Sequence, residues 1–132
     1  MQNLYWKDKA EWVWIPNYDD TKDPGRIVLF RHTFDLMEKP TGPCVVRVSA
    51  DTRYRLFVNG ESVSFGPCKS YLASWCYETI DITDHLVPGT NVLSAKVLRY
   101  SYLHAGNSSM IRAPTPGFLL QSDFNVSSIT ST

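Results

Sequence analysis

Three groups of residues could carry chemistry. Carboxylates come first: Asp19, Asp20 and Asp23 stand together, and Asp51 and Asp81 stand apart. Paired carboxylates divide acid and base roles when their surroundings push their pKa values apart. The first three lie in Asp-Asp-Thr-Lys-Asp-Pro-Gly, a loop composition in which solvated charges are expected. Asp51, at a strand end, and Asp81, before a turn, read as turn and capping carboxylates. His32, His85 and His104 form the second group. None sits in a nucleophile motif such as Gly-x-Ser-x-Gly, and His85, within Thr-Asp-His-Leu, reads as a surface residue. Aromatics form the third. An exposed ring can cover the C–H face of a pyranose while Arg, Asp or Asn takes the hydroxyls. Trp75 and Tyr77, two apart on one strand face, are the best candidates for such carbohydrate binding, and Arg53 and Tyr54 come second. The competing reading is that Trp and Tyr on a strand fill the core or an interface.

Cys44, Cys68 and Cys76 are the cysteines. An odd count in a core-sized chain favours free thiols in a reducing compartment. The sharper alternative is a Cys68–Cys76 bridge closing the loop between two strands. No Cys-x-x-Cys or His pair has ligand spacing, so neither a metal nor a cofactor is expected. Asn107-Ser108-Ser109 and Asn125-Val126-Ser127 fit the glycosylation pattern and read as incidental.

The elements that must position these residues are strands. Arg53 to Val58 and Glu61 to Phe65 alternate in period two and are joined by Asn59-Gly60. That is the strongest short-range sign of a two-residue hairpin, because a type I′ turn needs positive φ at both central positions. Gly66-Pro67 stops the second run. Further strands are expected over Arg26–Leu36, Cys44–Ala50, Trp75–Ile82, Asn91–Tyr100 and Gly117–Val126. Thr83 to Leu86 reads as one helical turn with Thr83 as N-cap. The near-continuous apolar run of the strand from Asn91 predicts a central strand covered on both faces. Seven or so short strands with turn signals between them indicate an all-β antiparallel sandwich, with the jelly-roll arrangement as its expected form.

The 132 residues suit one domain with a real core. We divide them into an aromatic N-terminal segment, 1–25, a sandwich, 26–126, and a polar tail, 127–132. Formal charge is zero and no Lys/Arg run could release phosphate counterions, so no nucleic-acid partner is expected. Apolar runs reach four or five residues, too short for a membrane span. Residues 1–7 lack the apolar stretch of a signal peptide, which favours a cytoplasmic setting. Trp6, Trp12, Trp14 and Ile15 precede the first clear strand. Trp12, Trp14 and Ile15 are therefore read as a docking surface, for a neighbouring domain or a second copy.

Several of these stretches together resemble a known family. They are Trp12-x-Trp14-Ile15-Pro16, Val28-x-Phe30-Arg31-x-x-Phe34-x-Leu36, Ala50-Asp51-Thr52-Arg53-Tyr54-Arg55-Leu56-Phe57-Val58-Asn59-Gly60-Glu61, Gly66-Pro67, and Asp81-Ile82-Thr83-x-x-Leu86-x-x-Gly89-x-Asn91-Val92-Leu93. In this order they look like the N-terminal β-sandwich of α-L-rhamnosidases. The part from Asp51 to Val97 also resembles the jelly-roll, galactose-binding-like domain of other glycoside hydrolases. The resemblance implies an accessory domain packing on a catalytic (α/α)₆ barrel that carries the acid and the base. Glycoside hydrolysis needs two carboxyls about 5 to 9.5 Å apart across the sugar. No residue here corresponds to that barrel, so no catalytic residue is carried over. A carbohydrate-binding module for rhamnose-containing glycans is the alternative, and a small stand-alone enzyme is the third reading.

Overall fold

The computed structural model describes residues 10–68, 71–101 and 112–124. The polar tail 127–132, Trp6, His104 and both glycosylation triplets lie outside or reach outside the described residues. Among the described residues, seven strands and one 3₁₀ turn run in the order β1 (Arg26–Leu36), β2 (Val45–Asp51), β3 (Arg53–Val58), β4 (Glu61–Gly66), β5 (Glu78–Asp81), the turn Thr83–His85, β6 (Gly89–Arg99) and β7 (Gly117–Ser122). They make two antiparallel sheets, β1-β6-β3-β4 and β5-β2-β7. The all-β sandwich expected from the sequence is the observed fold.

Alternation decides what the sheets bury. Val28, Phe30 and Phe34 of β1 face inward with Leu56 and Val58 of β3 and Leu93, Ala95 and Val97 of β6. They meet Val46, Val48 and Ala50 of β2 and Phe118 of β7. Phe30 stacks on Phe118 across the sandwich, centroids 4.9 Å apart. Removing such apolar surface from water, at about 25 cal/mol per Å², is the main stabilising term.

The β3–β4 turn is as expected: Asn59 has φ 49° and Gly60 φ 85°. Asn59 also ties the hairpin to β6. Its N–H donates to Val92 O (2.8 Å), and its Oδ1 accepts from Val92 N (2.8 Å). Beside it Asn91, fully buried, accepts at Oδ1 from Val87 N and Asn59 Nδ2 and donates through Nδ2 to Val87 O and Gly89 O. A buried amide with every polar atom engaged anchors a strand start, because leaving any of them unpaired would cost the group its hydration.

Three expectations need correction. β6 is central but covered on one face only: Lys96 and Leu98 are exposed, and the inner face alternates Asn91, Leu93, Ala95, Val97, Arg99. Its outward Val92 and Leu98 lengthen the apolar run without being core. Trp75 and Tyr77 precede β5 rather than lie on it. There the Trp75 indole N–H donates to Ala50 O (3.1 Å) and Ser49 Oγ donates to Cys76 O (2.6 Å), so side-chain bonds replace the ladder. Thr83 does not cap its turn; Ile82 occupies that position without a side-chain bond. Thr83 Oγ1 instead accepts from Cys44 N (2.8 Å) and donates to Asp81, whose Oδ1 also accepts from Thr83 N (2.9 Å). Asp81 is thus the turn carboxylate expected.

Gly60→Val should destabilise the domain by about 1 kcal/mol or more, because a β-branched side chain resists positive φ. A melting temperature equal to that of the parent chain would contradict the role given to this turn.

Candidate functional site

The polar centre of the molecule is built around Arg99, the last residue of β6. Period-two alternation carries it to the inner face, where it is completely buried. A guanidinium cannot be neutralised there and must find carboxylates. Asp51, ending β2 in the other sheet, accepts from Arg99 Nη1 at 2.7 Å. Asp20, from the loop before β1, accepts from Nε at 3.0 Å and from Nη2 at 2.6 Å. Ala113 O, ahead of β7, accepts from Nη2 at 2.8 Å, and Ala113 N donates to Asp51 Oδ2 at 2.6 Å. Arg112 also donates to Asp20, and it reaches Tyr100 O at 2.7 Å.

Asp20 and Asp51 are therefore neither solvated nor turn-capping, which corrects the sequence reading. The missed signal was Arg99 itself. It occupies the inward phase of an alternating strand, and an inward arginine demands acidic partners. Burial opposes ionisation of Asp20, but the bonds and charges of Arg99 and Arg112 outweigh it and hold its pKa below the usual carboxylate value. Burial dominates at Asp51 and leaves its pKa raised despite Ala113 N–H and Arg99. The arrangement holds its charge inside: the Arg99 side chain is wholly buried and the Asp51 side chain nearly so.

A cleft of about 380 Å³ lies beside this cluster, lined by Ile15, Pro16, Tyr18, Asp23, Lys22 and Arg26 among others. Tyr18 meets Trp14 edge-on at 5.7 Å, lies under the Arg26 guanidinium at 5.6 Å and bonds Asp20 through its hydroxyl. Burial, then Asp23 and Asp20, raises the Tyr18 pKa. Asp19 accepts from Thr21 and pairs with Lys22 at 3.0 Å, and Asp23 pairs with Arg26 at 2.6 Å. An aromatic ring among bond-forming side chains can hold a small polar ligand. Composition alone marked this stretch only as a loop.

The residues singled out from the sequence are distributed as follows. Tyr54 is 3% exposed in the core, with its hydroxyl on Glu78 Oε2 (2.8 Å) and Ser64 Oγ (3.0 Å). Burial pushes its pKa up strongly. Arg53 donates to Tyr100 Oη (3.3 Å) and to Pro67 O. Trp75 and Tyr77 are half-buried. Val13 exchanges both backbone bonds with Phe118 (2.9 Å each), so the N-terminal segment adds to the edge of β7. Trp14 and Ile15 pack against the core, while Trp12 stays 50% exposed with its ring against Gly117. His85 Nδ1 lies 2.9 Å from Glu61 Oε2. His32 is half-buried, and burial lowers its pKa. Among the described residues no group of three or more His, Cys, Asp or Glu could hold a metal ion.

The fold places the chain in a class, the antiparallel two-sheet β-sandwich, and solved structures narrow it. The chain superposes on a GH78 family rhamnosidase of Bacillus sp. GL1 with a TM-score of 0.70 and 29% sequence identity, over 91% of this chain and 12% of that one. It matches the α-L-rhamnosidase of Streptomyces avermitilis, solved in complex with L-rhamnose, with a TM-score of 0.55 and 22% identity over 84% of this chain and 10% of that chain. The α-L-rhamnosidase of Dictyoglumus thermophilum gives 0.54 and 18% over 73% of this chain and 11% of that one. The chain thus has the fold of a domain of GH78 α-L-rhamnosidases, the family resemblance that its sequence motifs carry, and it spans 10 to 12% of the length of these enzymes. No protein-family model and no curated protein matches its sequence.

Asp20→Asn should flatten the dependence of stability on pH in acid. The folded-state pKa of Asp20 is depressed, so its contribution is present above the ordinary carboxylate value and lost as pH falls through the folded value. The raised pKa of Asp51 works in the opposite sense, which is why the difference between the two proteins is the quantity to follow. Urea unfolding from about pH 6 down to about pH 2 should show the curves converging below about pH 4. A constant offset across that range would contradict the assignment.

Proposed function

We propose that this chain is a non-catalytic accessory β-sandwich of an α-L-rhamnosidase-like glycoside hydrolase, jelly-roll and galactose-binding-like in type, that packs against a catalytic (α/α)₆ barrel. The observation that carries the reading is the match of nearly the whole chain, 91%, to a 12% portion of a GH78 rhamnosidase. Its own carboxylates support the non-catalytic half of the reading, since the clustered ones are consumed in ion pairs.

The outer face of the four-stranded sheet supports the packing half. Cross-strand register lines up Ile27–Leu98–Arg53 and Leu29–Lys96–Arg55–Phe65. Ile27 is 58%, Leu29 61% and Phe65 77% exposed. Arg31, Arg53, Arg55 and Lys96 share the face, and Asp35, at its far end, is the one acid among the outward positions of these strands. Such a surface suits an apolar, acid-rimmed neighbour. Half-exposed Trp12 extends the docking role, whereas Trp14 and Ile15 serve the domain's own core. Carbohydrate binding is the second reading, favoured by the cleft over Tyr18 with its charged and apolar lining.

The test is titration of this chain into a GH78 rhamnosidase barrel lacking its own sandwich. Saturable binding, weakened tenfold or more by Leu29→Asp with Phe65→Asp, is expected, since each exposed apolar side chain buried is worth roughly 1.5–3 kcal/mol. Absence of binding, with L-rhamnose oligosaccharides quenching tryptophan fluorescence instead, would favour the second reading. The isolated chain should not hydrolyse aryl α-L-rhamnosides. Turnover that survives purification and disappears with a single Asp→Asn change would overturn the proposal.

A further inference from the structure

The three cysteines occupy unlike positions. Cys44 is 5% exposed within the core. Cys68 is exposed and Cys76 half-buried, and the Cys76 side chain is the group that acts most strongly on the Cys68 thiol. Both backbones are fixed by side chains of neighbouring strands. Cys68 N donates to Glu78 Oε1 at 2.8 Å, and the other Glu78 oxygen accepts from buried Tyr54 at 2.8 Å. Gly66 lies so close to this carboxylate that a Cβ there would stand 2.5 Å from Oε2. Cys76 O accepts from Ser49 Oγ at 2.6 Å, and Ser49 is 1% exposed. Between the cysteines, Ser74 N donates to Tyr71 O (2.9 Å), closing a tight turn that presents Tyr71 and Leu72 to solvent at 78% and 62%.

We propose that Cys68 and Cys76 form a reversible intramolecular disulfide that clamps the base of the Tyr71–Ser74 turn, with a low-molecular-weight disulfide as oxidant. Glu78, which holds Cys68 N, follows Cys76 by two positions, so the two cysteines stand side by side on anchored backbone, and closing the bridge calls on their side-chain rotation. One cysteine thiolate attacks the small disulfide and displaces one small thiolate, leaving a mixed disulfide on the protein. The second cysteine, as thiolate, attacks the protein-bound sulfur and displaces the other small thiolate. Two cysteines are oxidised to one cystine, one small disulfide is reduced to two thiols, and the two cysteine protons pass to solvent or to the released thiolates. The neighbouring Cys76 side chain, with a smaller contribution from desolvation, raises the pKa of Cys68 to about 11. Closure therefore speeds up as the medium becomes more alkaline.

The test is incubation of the full chain with oxidised glutathione, alkylation of remaining thiols without unfolding, and peptide mapping. The expected product is a single-chain Cys68–Cys76 cross-link, reversed by dithiothreitol, with Cys44 alkylated only after unfolding. Amide exchange over residues 71–76 should slow in the oxidised form. Cys68→Ser should leave Cys76 as a glutathione mixed disulfide, whereas Cys44→Ala should preserve the cross-link. Cys68 and Cys76 each ending as separate glutathione adducts in the parent chain, or a bridge from either to Cys44, would overturn the proposal.

Discussion

A guanidinium sealed inside a β-sandwich is the constraint on which this structure depends. Arg99 belongs to β6, Asp51 to the opposite sheet, Asp20 to the loop before β1, and Ala113 to the approach to β7. One side chain thus joins both sheets and two connecting segments. Burying such a charge is tolerable only because each of its bonded nitrogens meets an oxygen within the chain. Removing one partner would strand the rest, which on general grounds costs roughly 3–5 kcal/mol. The cluster therefore works less as added stability than as a requirement that four segments meet in one arrangement.

The other end of β6 repeats the device with neutral groups. Asn91 is fully buried and satisfied by Val87, Gly89 and Asn59, and Asn59 sits at the hairpin turn. A strand held at its start by an amide network and at its end by an ion cluster has little freedom to slip in register. Slippage by one residue would expose Leu93, Ala95 and Val97 and bury Lys96. The outer face, freed of any such duty, is where exposed Ile27, Leu29 and Phe65 can lie among cations.

Much of this was legible in the sequence. The Asn59-Gly60 hairpin, strand β1, the all-β class and the rhamnosidase resemblance all rest on local or ordered signals that folding does not override. What escaped was long-range. Asp20 and Asp51 look like loop and turn residues because nothing within ten positions of either announces Arg99. Trp75 and Tyr77 show strand-like spacing, but the indole N–H finds Ala50 O and the chain enters β5 only at Glu78. Tyr54, a second candidate for carbohydrate, is turned inward with Leu56 and Val58 by the alternation of β3, and its hydroxyl meets Glu78 and Ser64 there. The cleft over Tyr18 requires residues 13–15 to fold onto the sandwich, a contact fixed by the distant pair Val13 and Phe118.

The most direct measurement of this account is a double-mutant cycle between Arg99 and Asp51, using Arg99→Met, Asp51→Leu and the pair, followed by urea unfolding. If the buried charge is what makes the segments interdependent, each single change is strongly destabilising and the double variant recovers much of the loss. The coupling energy would then be above about 1 kcal/mol. Losses that simply add would show that Arg99 and Asp51 act independently, and would contradict the central place given to the cluster.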